Sequence, residues 1–401
     1  MVEFLYPALP AASDLQSVLR ERTSHVHAPF ADETINFLNS VSRRLFAVAR
    51  TEPALAPLAF FLRRANLHAL AERARGRAGE RAVLVPQGVV FHVPPTNVDT
   101  LFLYTLGISM LAGNANIVRI SPNAGPATAR VLGHLVAALA EAPEAGAGLT
   151  IVRFGHEDDV LDLCSSFADV RMVWGGDAAI RSIRRSPLLP RAKELTFPDR
   201  VSIAAVDAPS WVSAEADARR VLVEGLYNDV YWFDQMACSS PAQLVLVGDP
   251  DAAGQAAAEI FAELGAIADL RYAQVDGQAI NKMVSLVSGL DSVLNRFAWV
   301  SNSLVTVEAD GLDAAVGFRP GGGFLSVQRV EALTDIVPQL TRRVQTLSTF
   351  GFGRAALAEF ATAANGRGVD RIVEIGHALD FDAIWDGKDL VAECLRLVTI
   401  G

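Results

Sequence analysis

A chain of 401 residues, 51% apolar and 20% charged, has the composition of a packed globular protein with roughly two domains, and this excludes a disordered or fibrous chain. The formal net charge of −10 argues against a general nucleic-acid or anionic-membrane surface. Cys164, Cys238 and Cys394 are odd in number and far apart, which fits a reducing compartment and offers neither a disulfide framework nor the paired spacing of a zinc site.

The first residues lack a basic segment followed by an apolar one, so no leader is expected. The longest apolar stretch, residues 101–112, is interrupted by Tyr104, Thr105 and Ser109, and it is shorter than the ~20 residues a bilayer requires. A cytoplasmic protein without a membrane span is the expectation. Lysine occurs only at 193, 282 and 388, and no glycine-lysine-serine or glycine-lysine-threonine sequence exists, so a Walker-type phosphate loop is excluded.

The first eighty residues read as helices, with Phe37, Val41, Leu45 and Val48 at helical spacing, and Leu55, Leu58, Phe61 and Leu62 likewise. The arginine-rich residues 72–81 form a connector. From Ala82 onward short β-branched runs alternate with helices. Runs 83–85 and 89–93 are punctuated by Pro86 and Gly88, and the stiff loop Pro94-Pro95-Thr96-Asn97 precedes an apolar helix over 99–112. Strands follow at 117–120, 149–154 and 170–174. Val131, Leu132, Leu135, Val136 and Leu139 mark one face of a helix between the first two. Strands that alternate with helices imply right-handed crossovers and a parallel sheet covered on both faces.

Two loops in this half are dinucleotide candidates. Gly175 and Gly176 leave a strand and open a helix, where backbone N–H groups can approach phosphate, although the spacing is not GxGxxG and an ordinary strand-to-helix turn reads the same way. Arg119 and Ser121 stand at the carboxyl end of a strand, where ligands bind in open sheets; a surface arginine is the alternative.

A strand at 201–206 and a helix at 214–226 lead to Tyr231-Trp232-Phe233-Asp234-Gln235-Met236-Ala237-Cys238-Ser239-Ser240-Pro241. A thiol among small residues, just before a strand at 242–247, has the setting of a nucleophile: small neighbours admit a carbonyl and a tight turn aims N–H groups at its oxygen. A buried cysteine acting as a small hydrophobe is the alternative. Later come a helix at 252–270, a strand at 303–308, a flexible Pro320-Gly321-Gly322-Gly323 loop entering a strand at 324–327, and strands at 344–347 and 371–375 around a helix at 355–364. The domain change is placed near Arg200. Residues 1–200 are read as helices plus a dinucleotide-binding domain and 201–370 as a catalytic domain. Residues 371–401 are read as a segment returning to the cofactor domain or to an oligomer interface.

Residues 88–98 (GVVFHVPPTNV), 111–121 (LAGNANIVRIS), 174–177 (WGGD), 233–241 (FDQMACSSP), 344–346 (VQT) and 385–390 (WDGKDL) together resemble, in order, the acyl-CoA reductases of the LuxC type. The resemblance implies an α/β aldehyde dehydrogenase-like fold, with a Rossmann-like cofactor domain, a catalytic α/β domain and a small oligomerisation element. It implies NADPH as cofactor and a long-chain acyl thioester as substrate. The donor is acyl-CoA, or an acyl-protein synthetase or carrier protein, and the chain is expected to be a homo-oligomer.

On that resemblance Cys238 is the nucleophile and Asn97 donates its amide to the oxyanion, whereas the residues alone make Asn97 a turn residue after Pro94-Pro95. Gly175 and Gly176 approach the cofactor pyrophosphate, although the usual Gly-Ser-Thr pattern is missing. Arg119 and Ser121 face the adenosine ribose, where a cation suits a 2′-phosphate. No metal is implied. Glu194-Leu195 is similar to the motif whose glutamate activates water in aldehyde-oxidising relatives, but Thr196-Phe197-Pro198 replaces its glycines. Tyr231, Trp232, Phe233, Phe102 and Tyr104 are candidates for an acyl tunnel or for core. Three readings stand: a thioester reductase, an aldehyde dehydrogenase running toward acid, and a non-catalytic acyl-carrying subunit.

Overall fold

The computed structural model describes residues 2–79, 82–95, 98, 100–155, 157–274, 277–289, 296–312, 317 and 319–401. The chain forms two compact units, Met1–Asp199 with Phe381–Gly401, and Arg200–Asp380.

The first unit is built on a six-stranded sheet in the order Glu3–Tyr6, Leu149–Arg153, Ala115–Ile120, Val89–Val93, Val170–Trp174 and Lys193–Phe197. All neighbours are parallel except the first strand, which pairs antiparallel at one edge. The central strands Val89–Val93 and Val170–Trp174 are buried at every residue, His92 and Arg171 included, as strands covered on both faces must be. The helix Leu101–Leu111 is buried on every side, so its lack of a polar face follows from its place in the core. No helix among the described residues is long and apolar enough to cross a membrane. A separate antiparallel ribbon joins Ala82–Pro86 to Leu395–Thr399 and leaves Val83, Leu397 and Val398 exposed.

The second unit carries a seven-stranded sheet in the order Arg296–Trp299, Val305–Glu308, Phe324–Val330, Pro241–Val247, Val201–Asp207, Val344–Phe350 and Arg371–Glu374. Arg296–Trp299 alone among these pairs antiparallel. Alternate residues of the central strands feed opposite cores: Ala204, Val206, Leu244 and Leu246 pack beneath Ala216–Tyr231 and Pro250–Arg271, with Leu226 and Ile260, while Ile203, Ala205, Val245 and Val247 meet Ile336 and Phe360.

Helix Ala216–Tyr231 runs five residues beyond the expected end at 226, and the extra turn holds Asp229. This carboxylate is fully buried and accepts N–H groups from Gly376 at 2.7 Å and Ala378 at 3.1 Å, tying the helix to the turn after Arg371–Glu374. Burial pushes the Asp229 carboxyl up to about 7, against the two N–H groups and nearby His377 that hold it down; Asp380 adds to the rise. The folded state therefore keeps a proton that the unfolded chain loses near pH 4, so this group lowers stability as pH rises toward 7. Asp229→Asn lacks that slope and sets an amide N–H against one of the two backbone donors. In urea titrations from pH 5 to 8 the stability gap between wild type and variant is expected to shrink as pH rises, at up to ~1.4 kcal/mol per unit; parallel curves would contradict the assignment.

Candidate active site

The geometry around Cys238 begins with the end of helix Ala216–Tyr231. Phe233, Asp234 and Gln235 all take left-handed backbone angles, with φ of 54°, 53° and 62°. Each costs a non-glycine residue about 1–2 kcal/mol, so three in succession persist only where their surroundings fix them. Here the Gln235 amide is the clasp. Its Oε1 accepts N–H groups from Gly323 and Phe324 at 3.0 and 3.1 Å, and its Nε2 donates to the carbonyls of Pro241 and Phe324, both at 2.9 Å. That uses both donors and both acceptor sites of the amide. The Asp234 carbonyl accepts the Gly322 N–H at 3.0 Å, and its carboxylate accepts the Tyr272 hydroxyl at 2.7 Å.

The 320–323 loop, expected to be flexible, is instead the mould for this turn. Gly321, Gly322 and Gly323 are themselves left-handed. A Cβ on Gly323 would stand 2.1 Å from the Ser303 carbonyl oxygen and 2.5 Å from the Tyr231 hydroxyl. Lys282, buried in the helix Gln278–Gly289, braces the other side by donating to the carbonyls of Asn302 at 2.6 Å and Gly322 at 2.5 Å. Burial pulls its ammonium down to about 8.

Cys238 follows in a turn closed by the Ser240 N–H on the Ala237 carbonyl at 3.0 Å, and its thiol is half-buried. Its Sγ accepts from Gln345 Nε2 at 3.3 Å, and its carbonyl accepts the Ser202 hydroxyl at 2.7 Å. Cys164 and Cys394 are fully buried, and burial pushes both thiols up to about 12, so neither is a nucleophile near neutral pH. Gln345 lies in a strand, VQTLSTF, in which polar residues outnumber apolar ones, so nothing local marks it as a partner of the thiol. The clasp by Gln235 joins residues 88 and 89 positions apart and left no local trace.

The cofactor candidates lie in the first unit, Cys238 lies in the second, and Asn97 is outside the described residues. Arg119 and Ser121 are at the carboxyl end of Ala115–Ile120, and Gly175 and Gly176 at that of Val170–Trp174. The two strands flank Val89–Val93 in parallel, so both loops share one edge of the sheet. The Arg119 guanidinium donates from Nε to the Phe154 carbonyl at 3.3 Å and from Nη2 to that of Gly155 at 2.5 Å, and it lies 5.1 Å from the Phe154 ring centre. Ser121 Oγ accepts the Asn123 N–H at 3.2 Å. Apart from its chain neighbours, no described heavy atom stands within 4 Å of where a Cβ on Gly176 would be, so the loop is open at that point. Asp177 opens the helix that follows and brings a carboxylate, which opposes a second negative charge there.

Phe102 and Tyr104 are core rather than tunnel: both are buried, and Tyr104 packs edge-on to Phe61 at 5.1 Å. Tyr231 is also buried, stacked on Tyr227 and donating to the Ser303 carbonyl at 2.9 Å. His92 is buried between Thr105 Oγ1 and Asn116 Oδ1, and burial pulls it down to about 4, leaving a neutral structural imidazole. Among the described residues no cluster of histidine, cysteine or carboxylate side chains forms a metal site.

Glu194 pairs across strands with Arg171. Its carboxylate takes the Arg171 guanidinium at 2.6 Å and the Arg184 guanidinium at 2.7 Å. Arg171 is 2% exposed and its other acceptors, Ser165 Oγ and the Ser186 carbonyl, are neutral, so removing the carboxylate charge leaves a buried cation without its counter-ion. Glu194→Gln is therefore expected to lower stability by roughly 3 kcal/mol in urea titrations; an unchanged urea midpoint would reverse that reading.

The family model for acyl-CoA reductase (LuxC) matches residues 73–397. The chain belongs to the LuxC acyl-CoA reductase family. Curated relatives of this LuxC chain include the long-chain acyl-protein thioester reductase of Aliivibrio fischeri, 24% identical over 301 residues, which are 73% of this chain and 59% of that protein. Long-chain acyl-protein thioester reductase 2 of Photobacterium leiognathi is 29% identical over 169 residues, 41% of this chain and 33% of that protein. The LuxC match thus spans from about a third to three-fifths of these relatives' length. The fold is that of the aldehyde dehydrogenases. Lactaldehyde dehydrogenase from Escherichia coli superposes with a TM-score of 0.66 at 12% identity, over 96% of this chain and 88% of that one. Glyceraldehyde-3-phosphate dehydrogenase GapN from Methanocaldococcus jannaschii, in complex with NADP, gives 0.67 at 13% identity, over 98% and 95%.

Proposed function

We propose that this LuxC-family chain reduces a long-chain acyl thioester to an aldehyde through an acyl-Cys238 intermediate. The observation that carries the reading is the one accessible thiol of the chain, held beside an amide donor on a turn whose strained backbone is clasped in place. Sulfur attacks the acyl carbonyl, forming a carbon–sulfur bond and an oxyanion. Collapse breaks the carrier's carbon–sulfur bond and releases the carrier as its thiolate, leaving acyl-Cys238. Asn97 is the proposed side-chain donor to the oxyanion, beside the Cys238 backbone N–H; a donor of this kind is worth about 3–4 kcal/mol in the transition state.

When bound, a reduced nicotinamide dinucleotide supplies the hydride. Gly175 and Gly176 would admit its pyrophosphate, and Arg119 with Ser121 its adenosine ribose. The Arg119 cation supports NADPH over NADH. Cys238 leaves the resulting thiohemiacetal as thiolate, freeing aldehyde. The names of the curated relatives support an acyl-protein as donor, and the family's name supports acyl-CoA. Val83, Leu397 and Val398 on the ribbon support self-association.

Glu194, held between two guanidinium groups, is poorly placed to activate water, which disfavours oxidation to acid. The test supplies the purified protein either with palmitoyl-CoA and NADPH or with hexadecanal and NADP⁺ without a thiol acceptor. Aldehyde in the first arm and no acid in the second are expected; fast acid formation would overturn the reductase reading.

A further inference from the structure

We propose that the side-chain amide of Gln345 is a catalytic donor to the Cys238 sulfur, favouring its thiolate form before acylation. The inference rests on Cys238 being the nucleophile. Gln345 is 3% exposed and lies near the start of Val344–Phe350, within an irregularity in the register against Val201–Asp207 and one residue before the pairing with Arg371–Glu374 begins. Its carbonyl accepts the Asp370 N–H at 2.8 Å, and Nε2 stands 3.3 Å from Sγ.

A second contact sets that distance. The Ser202 hydroxyl donates to the Cys238 carbonyl at 2.7 Å and accepts the Thr346 N–H at 3.1 Å, so one oxygen pins the cysteine turn to the residue after Gln345. A buried amide in the middle of a sheet is costly unless its polar atoms are matched. Here the Thr346 hydroxyl lies 3.4 Å from Oε1, and the N–H side is turned to the reacting sulfur. An N–H donor at that position stabilises sulfur more when it is charged than when it is protonated, since hydrogen bonds to ionised acceptors are the stronger ones. The thiol proton goes to solvent, and the amide stays as the retained partner of the negative sulfur.

The test is the pH profile of alkylation by iodoacetamide, followed by intact mass on the full chain. Cys164 and Cys394 are buried with their thiols pushed up to about 12, so the adduct reports Cys238. In Gln345→Leu the midpoint of the profile is expected to rise by about one pH unit, which makes alkylation at pH 7 about tenfold slower. Gln345→Glu, which keeps the side-chain length and adds a negative charge, is expected to raise it at least as far. It carries the test by itself if near-ultraviolet circular dichroism shows the leucine variant unfolded. Midpoints that coincide with wild type in folded variants would overturn the proposal, whatever happens to the limiting rate. Iodoacetamide requires neither acyl donor nor nicotinamide, so a shifted midpoint in a protein that forms no acyl adduct would count against the reductase reading and for the role of Gln345.

Discussion

Cys238→Ser is expected to lower NADPH-dependent aldehyde formation by at least about 10³-fold while leaving the urea midpoint close to wild type. Serine is nearly isosteric with cysteine, and the contacts of the turn are made by the Cys238 backbone and by Gln235, so the scaffold has no reason to move. Two chemical steps fail together. An alkoxyl oxygen beside Gln345 is barely ionised near neutrality, and an oxygen ester, if formed, accepts hydride less readily than a thioester. A non-catalytic acyl carrier would lose acyl binding and would have no aldehyde formation to lose. Stopped assays of aldehyde with single-turnover amounts of enzyme decide the matter; activity within tenfold of wild type would remove Cys238 from the mechanism.

The second large effect is expected at Gly323→Ala. The residue is left-handed at φ 83°, and its new Cβ would stand 2.1 Å from the Ser303 carbonyl oxygen and 2.5 Å from the Tyr231 hydroxyl. Strain and overlap together are expected to cost about 2–4 kcal/mol, or to push Phe324 and its neighbours off the Gln235 amide. Losing the clasp releases three left-handed residues just upstream of Cys238, so aldehyde formation is expected to fall more than about 10²-fold even in the fraction that folds. Gly254→Ala is the control. It lies in the helix Pro250–Arg271 with no described heavy atom beyond its chain neighbours and the helix's own backbone within 4 Å of its new methyl, and it should be neutral or stabilising by up to about 1 kcal/mol in urea titrations. Equal effects at the two glycines would contradict a mould at residues 321–323 for the Cys238 turn.

The central strands of both sheets were legible because burial on two faces writes a mostly apolar run, interrupted by a single polar residue in Val89–Val93 (His92) and in Pro241–Val247 (Gln243). Of the four edge strands, Arg371–Glu374 was read and the other three were not. Glu3–Tyr6 sits in a region read as helical, Lys193–Phe197 is half polar, and Arg296–Trp299 is largely exposed; each is held by one neighbour's backbone, which leaves little side-chain pattern. At the candidate site the cysteine was visible from its small neighbours and the proline that opens the next strand. Its support was hidden, because the amide of Gln235 finds partners at 323 and 324 and the thiol finds one at 345. The glycine run at 320–323 read as flexible for the same reason: glycine permits a left-handed backbone, and only the facing Asp234 and Gln235 show that the permission is used.

The most direct measurement is the intact mass of the protein after incubation with palmitoyl-CoA, nicotinamide being withheld. The expected result is a gain of one palmitoyl group, removed by neutral hydroxylamine as a thioester is, absent from Cys238→Ala, and discharged as hexadecanal once NADPH is added. A folded wild-type protein that gains no mass from palmitoyl-CoA or from a palmitoylated acyl carrier protein, or that carries the adduct on a residue other than Cys238, would contradict the account.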